Sequence, residues 1–422
     1  MLRFTDNIIA QMTLACNKHC KYCYEHINEI NPLDKTPMDF ETFKKYFDYT
    51  IYCRCILGKR ENVIDWHFHG GEVFLLPWPT LRKMIAYIEE RQNFFPNIDY
   101  CFQTNGTLIT DEIACFLKSR NKMLGFSFDG YGDNDRGTEE ENKKLMDNLK
   151  KLHERTGVQC SYITVITKQN KDTWLEDWRK ASEFCKEFGI NELCEVDDTN
   201  TLTSEEIWTF WYKPVLESYL THTPIPERNV RIMLSTLITH LFFVVTKEDK
   251  TGCFSRRCGH GANMISLTSK GELFPCDKFL EKGDFINKRF RMGIKEPDFL
   301  GLKNVNYVYH FCKDLFKEES KLGCDICPAR DFCVGDCQSY NLSRYGEIRL
   351  DPRHCLPYKN FYEFVMGNLK TILLKKKEFQ VGSDELLKSL RELTPFGQNF
   401  LQENPEIKIF VTNGSIRFEE KN

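Results

Sequence analysis

Cys16, Cys20 and Cys23 stand in the run TLACNKHCKYCYE, three thiols in eight residues spaced CxxxCxxC. Thiols grouped this closely hold metal more often than disulfides when no export signal precedes them. A [4Fe-4S] cube has four irons and normally takes four cysteines, so a loop with three leaves one iron open to a small molecule. The alternative is a zinc knuckle completed by His19 or His26, which the spacing fits poorly. A second group comprises Cys253, Cys258, Cys276, Cys324, Cys327, Cys333, Cys337 and Cys355; with Cys312 set aside, its eight thiols equal two complete four-cysteine sites, of iron-sulfur or of zinc. Asp277 follows Cys276 in FPCDKF. A carboxylate beside such a site is either a proton acceptor or the cap of a ligand loop.

The first cluster must be held by the segment from Asp6 to Asp197, where short β-rich runs alternate with stretches of helical period. The strands predicted are Ile8 to Leu14, Val63 to His69, Ile98 to Thr104, Leu124 to Asp129, Val158 to Thr167 and Ile190 to Val196. Helices are predicted at Asp39 to Leu57, Trp78 to Phe94, Asp111 to Arg120, Glu139 to Thr156 and Asp172 to Phe188. Six βα units build a parallel sheet, either a barrel or an open doubly wound sheet, with functional residues on the loops after the strands. Two helical stretches follow, SEEIWTFWYKPVLESYL and NVRIMLSTLITHLFFVV, separated by TPIPE. Residues 253–356 are rich in Cys, Gly and Asp with short strands such as Met264 to Thr268, a small domain organised around metal. The tail, 357–422, is predicted to hold a helix at Tyr358 to Lys376 and a β run at Ile407 to Thr412.

The CxxxCxxC loop after the first strand resembles that of the radical S-adenosylmethionine (SAM) superfamily, in which the open iron chelates the methionine amine and carboxylate. Further motifs occur in the family's order. HGGEV after the second strand supplies Gly70, Gly71 and Glu72, similar to the family's GGE element, whose backbone contacts the methionine amine. FQTNG and GFSFDG end the third and fourth strands. The resemblance implies that Gln103, Thr104, Asn105, Ser127 and Asp129 face SAM and that Tyr22 lies by the adenine. The stretch YGDNDRGTEEEN departs from the usual HDxxR pattern, so Arg136 is a candidate contact on weaker grounds. Taken singly, a Gly pair or an NG dipeptide is most simply a turn.

The run CGHGANMISLTSKGELFPC, followed by CDICPARDFCVGDC and the late Cys355, resembles the SPASM domain of peptide-modifying radical SAM enzymes. That resemblance implies two auxiliary [4Fe-4S] clusters, one on Cys253, Cys258, Cys276 and Cys337 and one on Cys324, Cys327, Cys333 and Cys355. The implied architecture is α/β: a partial (β/α)6 barrel at 1–200, a helical bridge at 201–252, the SPASM domain at 253–356 and a C-terminal helix and tail at 357–422. The implied cofactors are three [4Fe-4S] clusters and SAM. The implied reaction is reductive cleavage of SAM to a 5'-deoxyadenosyl radical, hydrogen abstraction from a peptide residue, and loss of a second electron and a proton, with Asp277 as the base by similarity to anaerobic sulfatase-maturing enzymes. FQTNGTLITDE and FPCDKF favour those maturases. The absence of a KPTG element, HGGEV in place of GGEP and the long tail favour a maturase that cross-links a ribosomal precursor peptide through a thioether or carbon-carbon bond. With 15 residues before Cys16, a leader-binding domain is not expected there.

Composition limits the alternatives. Lys plus Arg number 58 against 61 Asp plus Glu, a net charge of −3, so no nucleic-acid partner is expected. The longest apolar run, Ile232 to Val245, is too short to span a bilayer, and a cytoplasmic protein is expected. Partners implied are a precursor peptide or protein substrate and reduced flavodoxin or ferredoxin. A non-enzyme reading, an iron-sulfur carrier or zinc binding module, does not need the open iron or the GGE turn. Cys53, Cys55, Cys101, Cys115, Cys160, Cys185 and Cys194 fall on predicted helices and strands, where cysteine acts as a small hydrophobe.

Overall fold

The computed structural model describes residues 7–23, 35–56, 64–193, 199–221, 223–245, 264–274, 276–279, 322–330, 332–333, 335, 337, 339, 341, 345, 350, 352–376, 378–380, 390, 392–412 and 415–421. Two compact units emerge, residues 1–201 with 260–313, and residues 202–259 with 314–422.

In the first unit, six strands run β1 (Asn7–Gln11), β2 (Ile64–His69), β3 (Ile98–Thr104), β4 (Leu124–Ser127), β5 (Cys160–Ile166) and β6 (Cys185–Glu192). Helices alternate with them: α1 (Phe40–Ile56), α2 (Trp78–Gln92), α3 (Asp111–Ser119), α4 (Glu139–Thr156) and α5 (Trp174–Ala181). Their order in the sheet is β6-β5-β4-β3-β2-β1, each parallel to the next. The order never reverses, so winding continues in one direction, as in a barrel and unlike a doubly wound sheet. The two faces are distinguished by alternation. Ile64, Trp66 and Phe68 are buried, and Trp66 meets Phe43 and Phe47 of α1 at ring centroid distances of 5.3 and 5.5 Å. Asp65, His67 and His69 therefore point to the opposite, concave face.

Helix α4 begins where Thr138 and Glu141 form a capping box and ends at Gly157, whose φ of 70° stops the helix. The last unit departs from the predicted bounds. Helix α5 stops at Ala181 where a helix to Phe188 is predicted, and β6 begins at Cys185 where a strand from Ile190 is predicted. Phe188 is drawn into the sheet because its ring stacks on Trp178 at 4.7 Å and on Tyr162 at 5.4 Å.

The predicted division at 252/253 also differs from the observed one. Strand β7 (Met264–Leu267) pairs parallel with β1 and antiparallel with β8 (Leu273–Phe274), extending the sheet to eight strands. The Tyr46 hydroxyl of α1 donates to the Gly271 carbonyl in the β7–β8 turn. Backbone pairing with β1 thus places this hairpin in the barrel unit.

The second unit contains the helical segment Ser204–Ser218, whose middle, Trp208–Tyr212, is a π-helix, and the helix Arg228–Phe242. The tail helix predicted as one piece is two, Cys355–Gly367 and Leu369–Lys376, broken at Asn368. The β run Ile407–Thr412 is found as β10, paired through β11 (Ser415–Glu420) to β9 (Glu378–Gln380). Phe242, Phe396, Phe400 and Phe418 form its aromatic core, with ring centroids 5.0 to 6.2 Å apart. Among the described residues, no helix is long and apolar enough to cross a membrane.

Candidate active site

The cysteine loop leaves β1 and is pinned to the turn after β2. Met12 N donates to His69 O at 2.9 Å, Gly71 N to Thr13 O at 2.8 Å and Glu72 N to Ala15 O at 2.8 Å. This closeness demands glycine. A Cβ on Gly70, whose φ is +121°, would lie 2.3 Å from Thr13 O, and one on Gly71 would lie 2.4 Å from Ala15 O. Since the N–H groups of Gly71 and Glu72 are committed to the loop, what the turn offers an ammonium group is carbonyl oxygen.

Glu72 is fully buried, and its carboxylate accepts from Thr104 Oγ1 at 2.7 Å, Asn105 N at 2.7 Å and Phe74 N at 3.0 Å. Burial pushes its carboxyl above the usual range, and those three donors pull it back. Glu72 thereby fastens the end of β3 to the glycine turn; its side chain positions the site and has its oxygens already engaged. Asn105 continues the chain of contacts, donating from Nδ2 to Asn17 Oδ1 at 2.7 Å and to Cys16 Sγ at 3.8 Å. Gln103 Nε2 donates to Ser127 Oγ at 2.9 Å, so both face the same side of the sheet.

The loop sulfurs are surrounded by donors. Cys16 Sγ accepts from Lys18 N at 3.4 Å, and Cys20 Sγ accepts from Arg136 Nη1 at 3.7 Å. Burial raises the Cys20 pKa, against which Arg136 acts, so a metal must displace a proton there. Arg136 is a hub despite the unusual sequence around it. Its Nη2 donates to Tyr22 OH at 2.5 Å and its Nε to Asp129 Oδ2 at 3.3 Å, while Tyr22 OH donates to the same carboxylate oxygen. Asp129 Oδ1 accepts from Val165 N at 2.9 Å, which fixes the group to β5. A cavity of about 1050 Å³ opens beside the loop, between residues 17–21, residues 133–138 and α4, with Lys18, Lys21, Lys144, Lys151 and Arg155 on its walls.

Sulfurs held at ~2.3 Å by a tetrahedral zinc sit about 3.8 Å apart. Among the described residues, Asp65, His67 and Cys101 are the sole group of three His, Cys, Asp or Glu ligand atoms within 4.8 Å of one another. The thiols of Cys16, Cys20 and Cys23 are spread more widely, which suits a polynuclear cluster.

In the second unit, the Cys333 thiol is pushed up to about 12 by burial, opposed by the Gly335 N–H at 3.4 Å and reinforced by the nearby Cys355, Cys327 and Cys324. The four thiols read as one auxiliary set thus share one neighbourhood. Cys276 is buried in the first unit, and Asp277 opens the short 3-10 turn Asp277–Phe279. Cys253, Cys258 and Cys312, with His26 and Cys194, lie outside the described residues. Asp277 lies close enough to His69 to act on it electrostatically: burial lowers the His69 pKa and Asp277 opposes that shift.

Three residues near this region carry no assignment from sequence: His67, His69 and Cys101. The alternation in DWHFH was the available signal, because it sends Asp65, His67 and His69 to one face. Cys101 correspondingly departs from the small-hydrophobe reading, with its sulfur 3.1 Å from His67 Nδ1. Cys115 is exposed, whereas Cys160 and Cys185 are buried as that reading expects.

The family model of the radical SAM superfamily matches residues 11–181. The chain is 25% identical over 378 residues to a cysteine-type anaerobic sulfatase-maturating enzyme of Clostridium novyi, covering 84% of this chain and 94% of that one. It is 23% identical over 354 residues to the radical SAM cyclopropyl synthase TigE of Paramaledivibacter caminithermalis, covering 82% and 70%. A solved structure of anSMEcpe with bound AdoMet and Cp18Cys peptide superimposes with a TM-score of 0.65 at 18% identity, covering 87% of this chain and 98% of that one, a likeness of fold. With the CxxxCxxC loop locked against a glycine turn at the strand ends, these matches identify residues 11–181 as a radical SAM domain, in an enzyme similar over most of its length to a sulfatase-maturating enzyme.

Proposed function

We propose that this enzyme is a peptide maturase that oxidises a residue of a ribosomal precursor peptide by two electrons to form a thioether or carbon-carbon cross-link. The observation that carries the reading is that one chain holds both a three-cysteine loop, its sulfurs supplied with donors by Asn105 and Arg136, and a second four-thiol neighbourhood around Cys333. The radical SAM domain implies a [4Fe-4S] cluster and SAM. When bound, they supply a 5'-deoxyadenosyl radical that takes hydrogen from substrate.

In this reading Cys16, Cys20 and Cys23 hold the first cluster. The carbonyls of the Gly70–Gly71 turn take the methionine ammonium, and Gln103, Ser127 and the Tyr22–Asp129–Arg136 group line the nucleoside. Cys324, Cys327, Cys333 and Cys355 hold one auxiliary cluster, and Cys276 with Cys253, Cys258 and Cys337 another. Asp277, beside His69, accepts the substrate proton.

A second reading, oxidation of a sulfatase Cys or Ser to formylglycine, is favoured by the 94% coverage of the Clostridium novyi enzyme. Incubating the reconstituted enzyme with SAM, dithionite and, in parallel, a genomically adjacent precursor peptide and a sulfatase-derived Cys peptide separates the two. A cross-linked peptide short of two hydrogens supports the first reading. An aldehyde trapped by hydroxylamine on the sulfatase peptide alone overturns it in favour of the second.

A further inference from the structure

The concave face of the barrel sheet carries a second set of ligand-type side chains, apart from every cysteine assigned above. On β2, Asp65 and His67 face away from α1. On β3, Asp99 and Cys101 occupy the same face, because the register pairs Asp65 with Asp99 and His67 with Cys101. Neighbouring strands lie ~4.8 Å apart, so directly paired side chains on one face meet. Cys101 Sγ is 3.1 Å from His67 Nδ1, and Asp65 Oδ2 is 3.8 Å from His67 Nε2. One ligand atom from each of the three residues lies within 4.8 Å of the other two.

A hydrogen-bonded Cys–His pair accounts for the first distance alone. It leaves unexplained why thiol, imidazole and carboxylate converge from two strands. Lys122 forms its salt bridge with Asp99, the other carboxylate of that layer, and interacts with Asp65 and Glu89 electrostatically. The side chains of His67 and Asp65 are 33% and 39% exposed, so an ion can reach them. The next concave-facing side chain on β2, His69, has a buried Nδ1 with no hydrogen-bond partner among the described residues, and its charge interacts with that of His67.

We propose that Asp65, His67 and Cys101 form a mononuclear site for a borderline divalent cation, Zn²⁺ in the first instance, on the concave wall of the barrel. Sulfur, nitrogen and oxygen donors together select such a cation over Mg²⁺ and Ca²⁺, which take oxygen alone. The Cys101 contact is to Nδ1 and the Asp65 contact to Nε2, and one ion takes only one of those nitrogens. Ligands at ~2.0–2.3 Å from a tetrahedral centre stand about 3.3–3.8 Å apart, so the three ligand atoms, now within 4.8 Å of one another, close by up to about an ångström, and water takes the fourth corner. The site is independent of which bond the enzyme makes in its peptide.

The test uses holoenzyme reconstituted anaerobically with iron and sulfide, exposed to Zn²⁺, freed of loose metal and analysed for zinc and iron. One zinc per chain is expected in the wild type. Cys101→Ser and His67→Ala should each lower it about tenfold or more at unchanged iron, as the loss of one of three protein ligands demands. A measurement on the unaltered chain guards against misfolded variants: iodoacetamide labelling of Cys101, read by peptide mass mapping, should slow about tenfold when Zn²⁺ is added. Wild type without bound zinc, zinc retained by both variants, or Cys101 labelling indifferent to Zn²⁺ would each overturn the site. Iron content and SAM cleavage are read on the same samples, so a failure of the radical SAM assignment is seen separately.

Discussion

Replacing Glu72 by Ala should weaken the fold and loosen the cluster loop together. The substitution leaves the buried backbone N–H groups of Asn105 and Phe74, and the Thr104 hydroxyl, without the carboxylate they share. Each stranded buried donor costs about 1–3 kcal/mol, so two backbone donors give about 4 kcal/mol. Against a typical stability of roughly 5–15 kcal/mol, that loss is large. Glu72→Gln retains one oxygen at Oε1 for Thr104 and Phe74 but turns an amide N–H towards Asn105 N, a loss of about 1–3 kcal/mol. Urea denaturation read by circular dichroism gives the stabilities, and iron counting gives the state of the loop, because Asn105 also donates to Cys16 Sγ. The pH dependence has a defined sign. Burial raises the folded-state pKa of Glu72, so the native state binds its proton more tightly than the unfolded state does. Its contribution is therefore fully present below the unfolded value of 4.5 and is lost as pH rises through the folded value. The stability of wild type relative to Glu72→Gln should fall across that window. An Ala variant within about 1 kcal/mol of wild type, still holding its iron, would refute the assignment of Glu72 as the clamp of this turn.

Gly71→Ala should expel the first loop from its place, since its Cβ would lie 2.4 Å from Ala15 O and 2.8 Å from Leu14 O; iron analysis of the reconstituted variant should find about four irons per chain fewer than in wild type. Arg136→Ala strands the buried Asp129 carboxylate and should cost about 3–5 kcal/mol in urea titration, with Arg136→Lys in between. Tyr46→Phe removes the hydrogen bond to Gly271 O and should lower the melting temperature by the equivalent of about 1 kcal/mol with SAM cleavage retained. Phe418→Ala, at the centre of the aromatic group in the second unit, should cost about 3–5 kcal/mol in the transition that reports that unit.

Much of the barrel is legible in the sequence because period and capping coincide there. Glu139–Thr156 is framed by Thr138 and Gly157, and its bounds are found as predicted. The β6 region is not, because Cys185–Glu192 has no strict alternation, and it becomes a strand by stacking Phe188 on Trp178 and Tyr162. Spacing groups Cys16, Cys20 and Cys23, but does not tell that Arg136, 113 residues beyond Cys23 in the chain, reaches Cys20 and Tyr22. The role of Glu72 is likewise hidden, since a GGE motif does not tell whether its carboxylate meets a ligand or, as found, Thr104 and Asn105. The hairpin at Met264–Phe274 reads as part of a metal domain by its cysteines, whereas its backbone belongs to β1. Long-range pairing of this kind leaves no local trace in sequence.

The central claim is tested most directly by anaerobic reconstitution followed by SAM and dithionite, with 5'-deoxyadenosine measured in wild type and in Cys16→Ala/Cys20→Ala/Cys23→Ala. Production of 5'-deoxyadenosine by wild type, with about twelve irons per chain if both auxiliary sets fill, and its abolition in the triple variant at reduced iron is the expected result. Wild-type protein that binds zinc in those thiols, or that fills with iron and leaves SAM intact, would contradict it.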